Sequence, residues 1–133
     1  MTLEGGMGKK ILHIDDDTDL QAAIRLILSG AGYAVANADD GTAGLAAARA
    51  DRPDLVILDV MMTRVNEGIE VAQQFKGDPA LAGIPILMLS GVDSEFRFGF
   101  GDSAGSEFLP VDRFLDKPVE PAALLAAVRE LIN

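Results

Sequence analysis

The sequence has no cysteine, and aromatic residues make up only 5% of it. The absence of cysteine excludes disulfides and thiolate metal sites. The few aromatics mean that any core depends on aliphatic side chains and methionine. No apolar run approaches the roughly 18 residues of a membrane span, and residues 1–10 lack the apolar stretch of a secretory signal. We therefore expect a cytoplasmic protein that does not enter the membrane.

Basic residues are also in short supply, with 11 Lys and Arg against 21 Asp and Glu, which gives a net charge of −10. This charge argues against direct binding to nucleic acid, because a basic surface is needed to displace counterions from phosphates. An acidic surface instead suits cations and basic partner surfaces. The length of 133 residues fits one domain, and 49% hydrophobic residues suffice for a sizeable core.

Apolar runs of strand length alternate with segments of helical period, which predicts a βα repeat around a parallel sheet. Strands are predicted at 11–14, 33–38, 55–58, 85–89 and 111–115. Helices are predicted after the first strand, over 42–50, over 68–76 and from about Pro121. Residues 91–109 mix glycine with phenylalanine, and we expect a short or irregular fourth helix within a long loop.

Helix boundaries and faces also follow from the pattern. Thr18 and Gln21 have the spacing of a capping box, and Asp40 is placed to cap the second helix. The predicted buried face of the first helix repeats every three to four residues and comprises Leu20, Ala23, Ile24, Ile27 and Leu28. The corresponding face of the last helix comprises Leu124, Leu125, Val128, Leu131 and Ile132.

Polar residues stand at or just after the ends of four predicted strands, namely Asp15 and Asp16, then Asp59, Ser90 and Lys117. In open parallel sheets, ligands bind beyond the carboxyl ends of the strands. Three carboxylates in one site repel each other unless a cation neutralises them, and Mg²⁺ prefers oxygen ligands. A carboxylate nucleophile with a metal, a lysine and a hydroxyl suits phosphoryl transfer to aspartate.

The chain resembles the receiver domain of bacterial response regulators, including the single-domain chemotaxis type. The resemblance spans about residues 9–132 and is carried by ILHIDDD at 11–17, PDLVILDVMM at 53–62, PILMLSG at 85–91 and FLDKPV at 114–119. It implies an α/β fold, a flavodoxin-like doubly wound (βα)5 sandwich with a parallel sheet in the order 2-1-3-4-5. We expect a flexible N-terminal extension over 1–8 and a receiver domain over 9–133.

The resemblance also implies a metal site. Asp15 and Asp16 look like the acidic pair that holds Mg²⁺, with Mn²⁺ as an alternative ion. Asp59 looks like the phosphoacceptor and a further metal ligand. Met61 looks like the residue whose backbone carbonyl completes the metal shell.

Three further residues match the family's positions for binding and reporting the phosphoryl group. Ser90 looks like the hydroxyl that hydrogen-bonds this group and moves on activation, and Lys117 looks like the lysine that binds it. The family suggests a cis bond between Lys117 and Pro118. Phe114 falls at an aromatic switch position, although it is equally well explained as a core residue.

The implied function is a phosphorylation-activated switch rather than an enzyme, apart from phosphoryl transfer to itself and autodephosphorylation. The implied partners are a histidine kinase or phosphotransfer protein and a downstream protein that binds the face of the fourth helix, fifth strand and fifth helix. Phosphorylation-dependent homodimerisation is a further expectation.

Several alternatives stand beside this interpretation. A pseudo-receiver that binds partners without phosphorylation is favoured by the unusual 91–109 segment. A hydrolase that uses an aspartyl phosphate would need a second acid/base carboxylate next to the nucleophile and a substrate cap. The sequence has no such carboxylate beside Asp59, and the chain is short for a cap. Residues 15–17 are alternatively a solvated turn that caps the first helix. His13 is interpreted as a strand residue packed under a helix, not as a phosphodonor. The phenylalanines of 91–109 either cover the core or form a docking patch.

Overall fold

The computed structural model describes residues 8–59, 67–90 and 111–132. Its elements are β1 (Lys10–Ile14), α1 (Thr18–Gly30), β2 (Ala34–Ala38), α2 (Gly41–Ala50), β3 (Leu55–Asp59), α3 (Glu67–Gly77), β4 (Ile86–Ser90), β5 (Arg113–Asp116) and α4 (Pro121–Ile132). The predicted irregular helix over 91–109 lies outside the described residues. The C-terminal helix, predicted as the fifth, is therefore α4 here.

The five strands form one parallel sheet in the order β2-β1-β3-β4-β5, as the resemblance implied. The central strand β3 is buried along its whole length, which explains its continuous apolar run. The chain moves from β1 outwards to β2 and then returns to β3 on the other side of β1. The switch point of the sheet therefore lies between the carboxyl ends of β1 and β3.

Helices cover both faces of the sheet and create two apolar layers. One layer lies between the sheet and helices α2 and α3, and its largest fully buried side chain is Phe75. The other lies between the sheet and helices α1 and α4, where Ile24 and Leu28 meet Leu124 and Val128. Successive residues of β3 enter opposite layers, because side chains alternate along a strand. The sheet is thus held from both sides, and its strand ends are fixed relative to each other.

The capping box predicted for the first helix is wrong. Asp17 is the N-cap, with extended backbone angles of φ −89° and ψ 104°, and its carboxylate accepts a hydrogen bond from the backbone N–H of Leu20 at 3.1 Å. Gln21 turns inward instead, and it replaces Ala23, which is exposed, on the buried face. The Asp40 cap of α2 is confirmed, since its carboxylate accepts from the N–H of Ala43 at 2.8 Å.

On the last helix, Leu124 and Val128 are fully buried as predicted, together with Ala127. The remaining predicted face residues, Leu125, Leu131 and Ile132, are half-buried against the same apolar layer. None of the described helices combines the length and the apolar character that a membrane crossing requires.

Candidate functional site

Three carboxylates meet where β1 and β3 end. Asp15 and Asp16 directly follow β1, and Asp59 is the last residue of the neighbouring β3. One carboxylate oxygen from each of the three lies within 4.8 Å of the others. Asp15 is fully buried and Asp59 is 3% exposed, whereas Asp16 faces solvent. The structure therefore brings the predicted acidic residues into one cluster that opens to solvent on the side of Asp16.

Lys117 reaches this cluster from the end of β5. Its Nζ lies 3.1 Å from Oδ2 of Asp59, and the lysine side chain is 26% exposed. The peptide bond between Lys117 and Pro118 is cis, which confirms the expectation from the sequence. A buried carboxylate is costly without a charged or hydrogen-bonding partner, and Lys117 supplies a charged one to Asp59.

The carboxylate of Asp15 is engaged at both oxygens. Its Oδ1 accepts a hydrogen bond from the backbone N–H of Asp17 at 3.0 Å, and its Oδ2 lies 3.2 Å from Nε2 of His13. Burial by itself raises the pKa of the Asp15 carboxyl. The hydrogen bonds from His13 and Asp17, with the charge of Lys117 adding to them, outweigh burial and hold this pKa below its ordinary value. Asp15 is therefore ionised at neutral pH.

Gln21 fixes the loop that carries these acidic residues. Its side-chain Nε2 donates to the backbone carbonyl of Asp15 and to Oδ1 of Asp39 at 3.0 Å. Asp15 itself donates its backbone N–H to the carbonyl of Ala38, also at 3.0 Å. The loop after β1 is thus tied to the loop after β2, so the position of Asp15 is set by two neighbouring strands.

The charge balance of the cluster suits a divalent cation. Among the described residues, three carboxylates converge with one lysine ammonium, so carboxylates outnumber the cation in a largely buried site. All the converging side-chain ligands are hard oxygens, and hard oxygens are the donors preferred by Mg²⁺. Because Asp16 is exposed, water or a phosphoryl group can reach the cluster from the side of this residue. The donor set therefore fits the ion that the sequence suggested.

The other predicted site residues are placed in part. Ser90 is the last residue of β4, and its backbone pairs with Asp116 of β5, so it lies at the same edge of the sheet. The Ser90 side chain and the whole of Met61 lie outside the described residues. Phe114, in β5, is half-buried and packs against the apolar layer under α2 and α3. Its proposed switching role stays a prediction.

The sequence interpretation missed two polar residues of the site. His13 is a buried strand residue as expected, but its contact with Asp15 was overlooked. The signal was available, because residues two apart in a strand share a face. Gln21 was assigned to a cap, and its link between the two loops had no sequence signal.

Comparison with known proteins agrees with this geometry. The family model described as "Response regulator receiver domain" matches residues 11–129. The alkaline phosphatase synthesis transcriptional regulatory protein PhoP of Bacillus subtilis is 35% identical over 127 residues, covering 96% of this chain and 50% of PhoP. The DNA-binding response regulator MtrA of Mycobacterium tuberculosis is 37% identical over 123 residues, covering 92% of this chain and 50% of MtrA. The chain thus spans about half the length of these curated relatives.

A solved structure extends the comparison to the fold. The chemotaxis protein CheY4 of Vibrio cholerae matches with a TM-score of 0.80 and 30% sequence identity, covering 95% of this chain and 99% of that chain. Unlike the two relatives above, CheY4 is matched along almost its whole length.

Proposed function

The chain belongs to the response regulator receiver domain family, and we propose from this that Asp59 accepts a phosphoryl group from a phosphohistidine of a partner protein. A receiver domain of a two-component system acts in signalling and is not a classical enzyme. The observation that carries the proposal is the 3.1 Å approach of Lys117 to Asp59 beside the carboxylates of Asp15 and Asp16.

The proposed step is a displacement at phosphorus. An oxygen of Asp59 bonds to phosphorus while the P–N bond to the partner's histidine breaks, and the imidazole leaves with the electron pair. Lys117 moves its hydrogen bond from the carboxylate to a phosphoryl oxygen, and Ser90 donates a second one. Hydrolysis of the acyl phosphate by water releases phosphate and restores the carboxylate. The phosphorylated and the unphosphorylated form of Asp59 shift the domain's equilibrium between an active and an inactive conformation.

The metal belongs to the same proposal. Asp15, Asp16 and Asp59, together with the backbone carbonyl of Met61, would hold Mg²⁺, and Mn²⁺ suits the same oxygen donors. When bound, the ion neutralises the charge on the carboxylates and on the phosphoryl oxygens. The excess of carboxylates over ammonium groups among the described residues of the cluster supports this assignment.

The partners follow from the family and from the charge. We propose a histidine kinase or phosphotransfer protein as donor and, as output surface, the face of β5, α4 and the predicted helix over 91–109, with Phe114 as its link to the site. Phosphorylation-dependent homodimerisation through this face is part of the proposal. The net charge of −10 supports the absence of direct DNA contact by this domain. MtrA is named as DNA-binding, and this chain matches only half of it.

The test is phosphorylation by acetyl phosphate in the presence of Mg²⁺, followed by intact-mass spectrometry. The wild-type protein is expected to gain one phosphoryl group, and the gain should disappear with EDTA. Asp59→Asn should gain none, while Asp19→Asn, an exposed aspartate on α1, serves as the matched control and should behave as wild type. Phosphorylation of Asp59→Asn would refute the assignment. No phosphorylation of the wild type, with no NMR response near Asp59 to Mg²⁺ and beryllofluoride, would favour the pseudo-receiver.

A further inference from the structure

His13 is a buried polar residue that the proposed phosphoryl transfer does not use. It lies in β1 with no exposed surface, and its Nε2 is 3.2 Å from Oδ2 of Asp15. The other oxygen of Asp15 is occupied by the N–H of Asp17. Each oxygen of the carboxylate is therefore in a hydrogen-bonding contact, one with the imidazole and the other with the loop backbone.

The chemistry of this contact fixes the position of the imidazole proton. An ionised carboxylate only accepts hydrogen bonds, so Nε2 of His13 must be the atom that carries the proton. In the neutral ring, Nδ1 then presents a bare lone pair. Within the described part of the chain, this Nδ1 has no hydrogen-bond partner although it is buried. A buried acceptor of this kind calls for a donor.

Among the described residues, Asn37 is the polar neighbour placed by strand register to provide that donor. It is the register partner of His13 in β2, and the pair one step earlier on this face, Ile11 and Val35, packs into the layer under α1 and α4. Side chains of register partners share a face and neighbouring strands lie about 4.8 Å apart. Oδ1 of Asn37 is the other buried side-chain atom that lacks a partner among the described residues. Rotating the amide by half a turn exchanges Oδ1 with Nδ2 and puts a donor where Oδ1 now stands, on the face that Asn37 shares with His13.

We propose that His13 is a positioning residue, which Asn37 holds in its Nε2–H tautomer so that it keeps the carboxylate of Asp15 oriented towards the divalent cation. The inference rests on the proposed function, because it concerns the same metal site. Groups that hydrogen-bond a ligating carboxylate fix its orientation, and their loss weakens metal binding. An apolar residue at position 13 would suit the strand better, because burying an imidazole in an apolar layer is unfavourable without a partner. The histidine is therefore better explained by its contact with Asp15 than by the stability of the strand.

The first test measures the tautomer in the metal-free wild-type protein. Nitrogen-15 NMR of the imidazole is expected to show a protonated Nε2 whose proton exchanges slowly, and an unprotonated Nδ1. A Nδ1–H tautomer would overturn the proposal, and this measurement needs no variant.

The second test is a Mg²⁺ titration of the apo-protein, followed by calorimetry or by amide shifts. His13→Leu is expected to weaken Mg²⁺ binding about tenfold or more. His13→Gln restores most of the affinity, because its amide carries a donor at the place of Nε2. Ile11→Val, a core change on the same face of β1, is expected to lower stability and leave the Mg²⁺ affinity unchanged.

The outcomes separate this inference from the proposed function. Mg²⁺ binding by His13→Leu that equals wild type, or an equal loss in His13→Gln and His13→Leu, would overturn the positioning role alone. A wild-type protein that binds no Mg²⁺ would overturn both. Should His13→Leu fail to fold, the comparison of His13→Gln with the wild type and the tautomer measurement still decide.

Discussion

Replacing Gly44 by alanine tests how tightly α2 is seated on the sheet. A Cβ at position 44 would stand 2.4 Å from Cδ1 and 2.7 Å from Cγ1 of Ile14, whereas carbon pairs prefer about 3.5–4.0 Å. Ile14 is fully buried at the end of β1, so its side chain cannot turn out into solvent without leaving the apolar layer. The added methyl group must therefore push α2 away from the sheet or force Ile14 from its rotamer.

Two opposing terms set the size of the effect. Alanine is favoured over glycine in a helix interior by about 0.8–1 kcal/mol. Overpacking a filled core costs about 1–3 kcal/mol. Because the contact is closer than a small relaxation can relieve, we expect the overpacking cost to dominate. The expected net result is a loss of about 1–2 kcal/mol in the free energy of unfolding.

Urea unfolding followed by far-UV circular dichroism measures this loss. Gly30→Ala is the matched control, because a Cβ at the end of α1 meets nothing within 4 Å, so it should be neutral or slightly stabilising. Combining Gly44→Ala with Ile14→Val removes Cδ1 and should recover part of the loss, with a coupling of about 0.5 kcal/mol or more. If Gly44→Ala were as stable as Gly30→Ala, the close seating of α2 on β1 would be refuted.

Three further variants or titrations examine other contacts. Lys117→Ala removes a cation beside Asp59, so a Mg²⁺ titration should show tighter binding while acetyl phosphate labels the protein more slowly; weaker Mg²⁺ binding would contradict the charge balance. Gln21→Leu removes the side-chain donor to the Asp15 carbonyl and should cost about 1 kcal/mol in urea unfolding; no loss would contradict the tie between the loops. The pKa of Asp78 is lowered from 3.8 by a backbone N–H and an arginine side chain. Its stabilising contribution is therefore present above pH 3.8 and is lost as pH falls through the pKa of the folded state. Carboxyl carbon-13 NMR should give a titration midpoint below 3.8. A midpoint at or above 3.8 would argue against these hydrogen bonds.

The sequence predicted that the polar side chains of the site lie together, because strand ends are easy to locate. Four-residue apolar runs identify buried strands, and parallel pairing brings their carboxyl ends to one edge of the sheet. Asp15, Asp59 and Lys117 come together for this reason. The order of the strands came from the family resemblance, because apolar runs alone do not say which strands are neighbours.

The errors lie where local patterns compete. Thr18 and Gln21 have the spacing of a capping box, but the N-cap of α1 is Asp17, one residue earlier. Gln21 is then free to bind the loop carbonyls, and it occupies the inner face that the periodicity assigned to Ala23. Spacing alone does not reveal such tertiary hydrogen bonds. The contact of His13 with Asp15 was accessible from strand alternation.

Chemical mapping of the phosphorylated residue tests directly whether Asp59 is the phosphoacceptor. After phosphorylation with acetyl phosphate and Mg²⁺, borohydride reduces an aspartyl phosphate to homoserine, and peptide mass spectrometry locates the changed residue. Homoserine is expected at position 59 alone, and none in Asp59→Asn. Homoserine at Asp15 or Asp16, or unmodified Asp59 in a protein that has gained a phosphoryl group, would contradict this assignment.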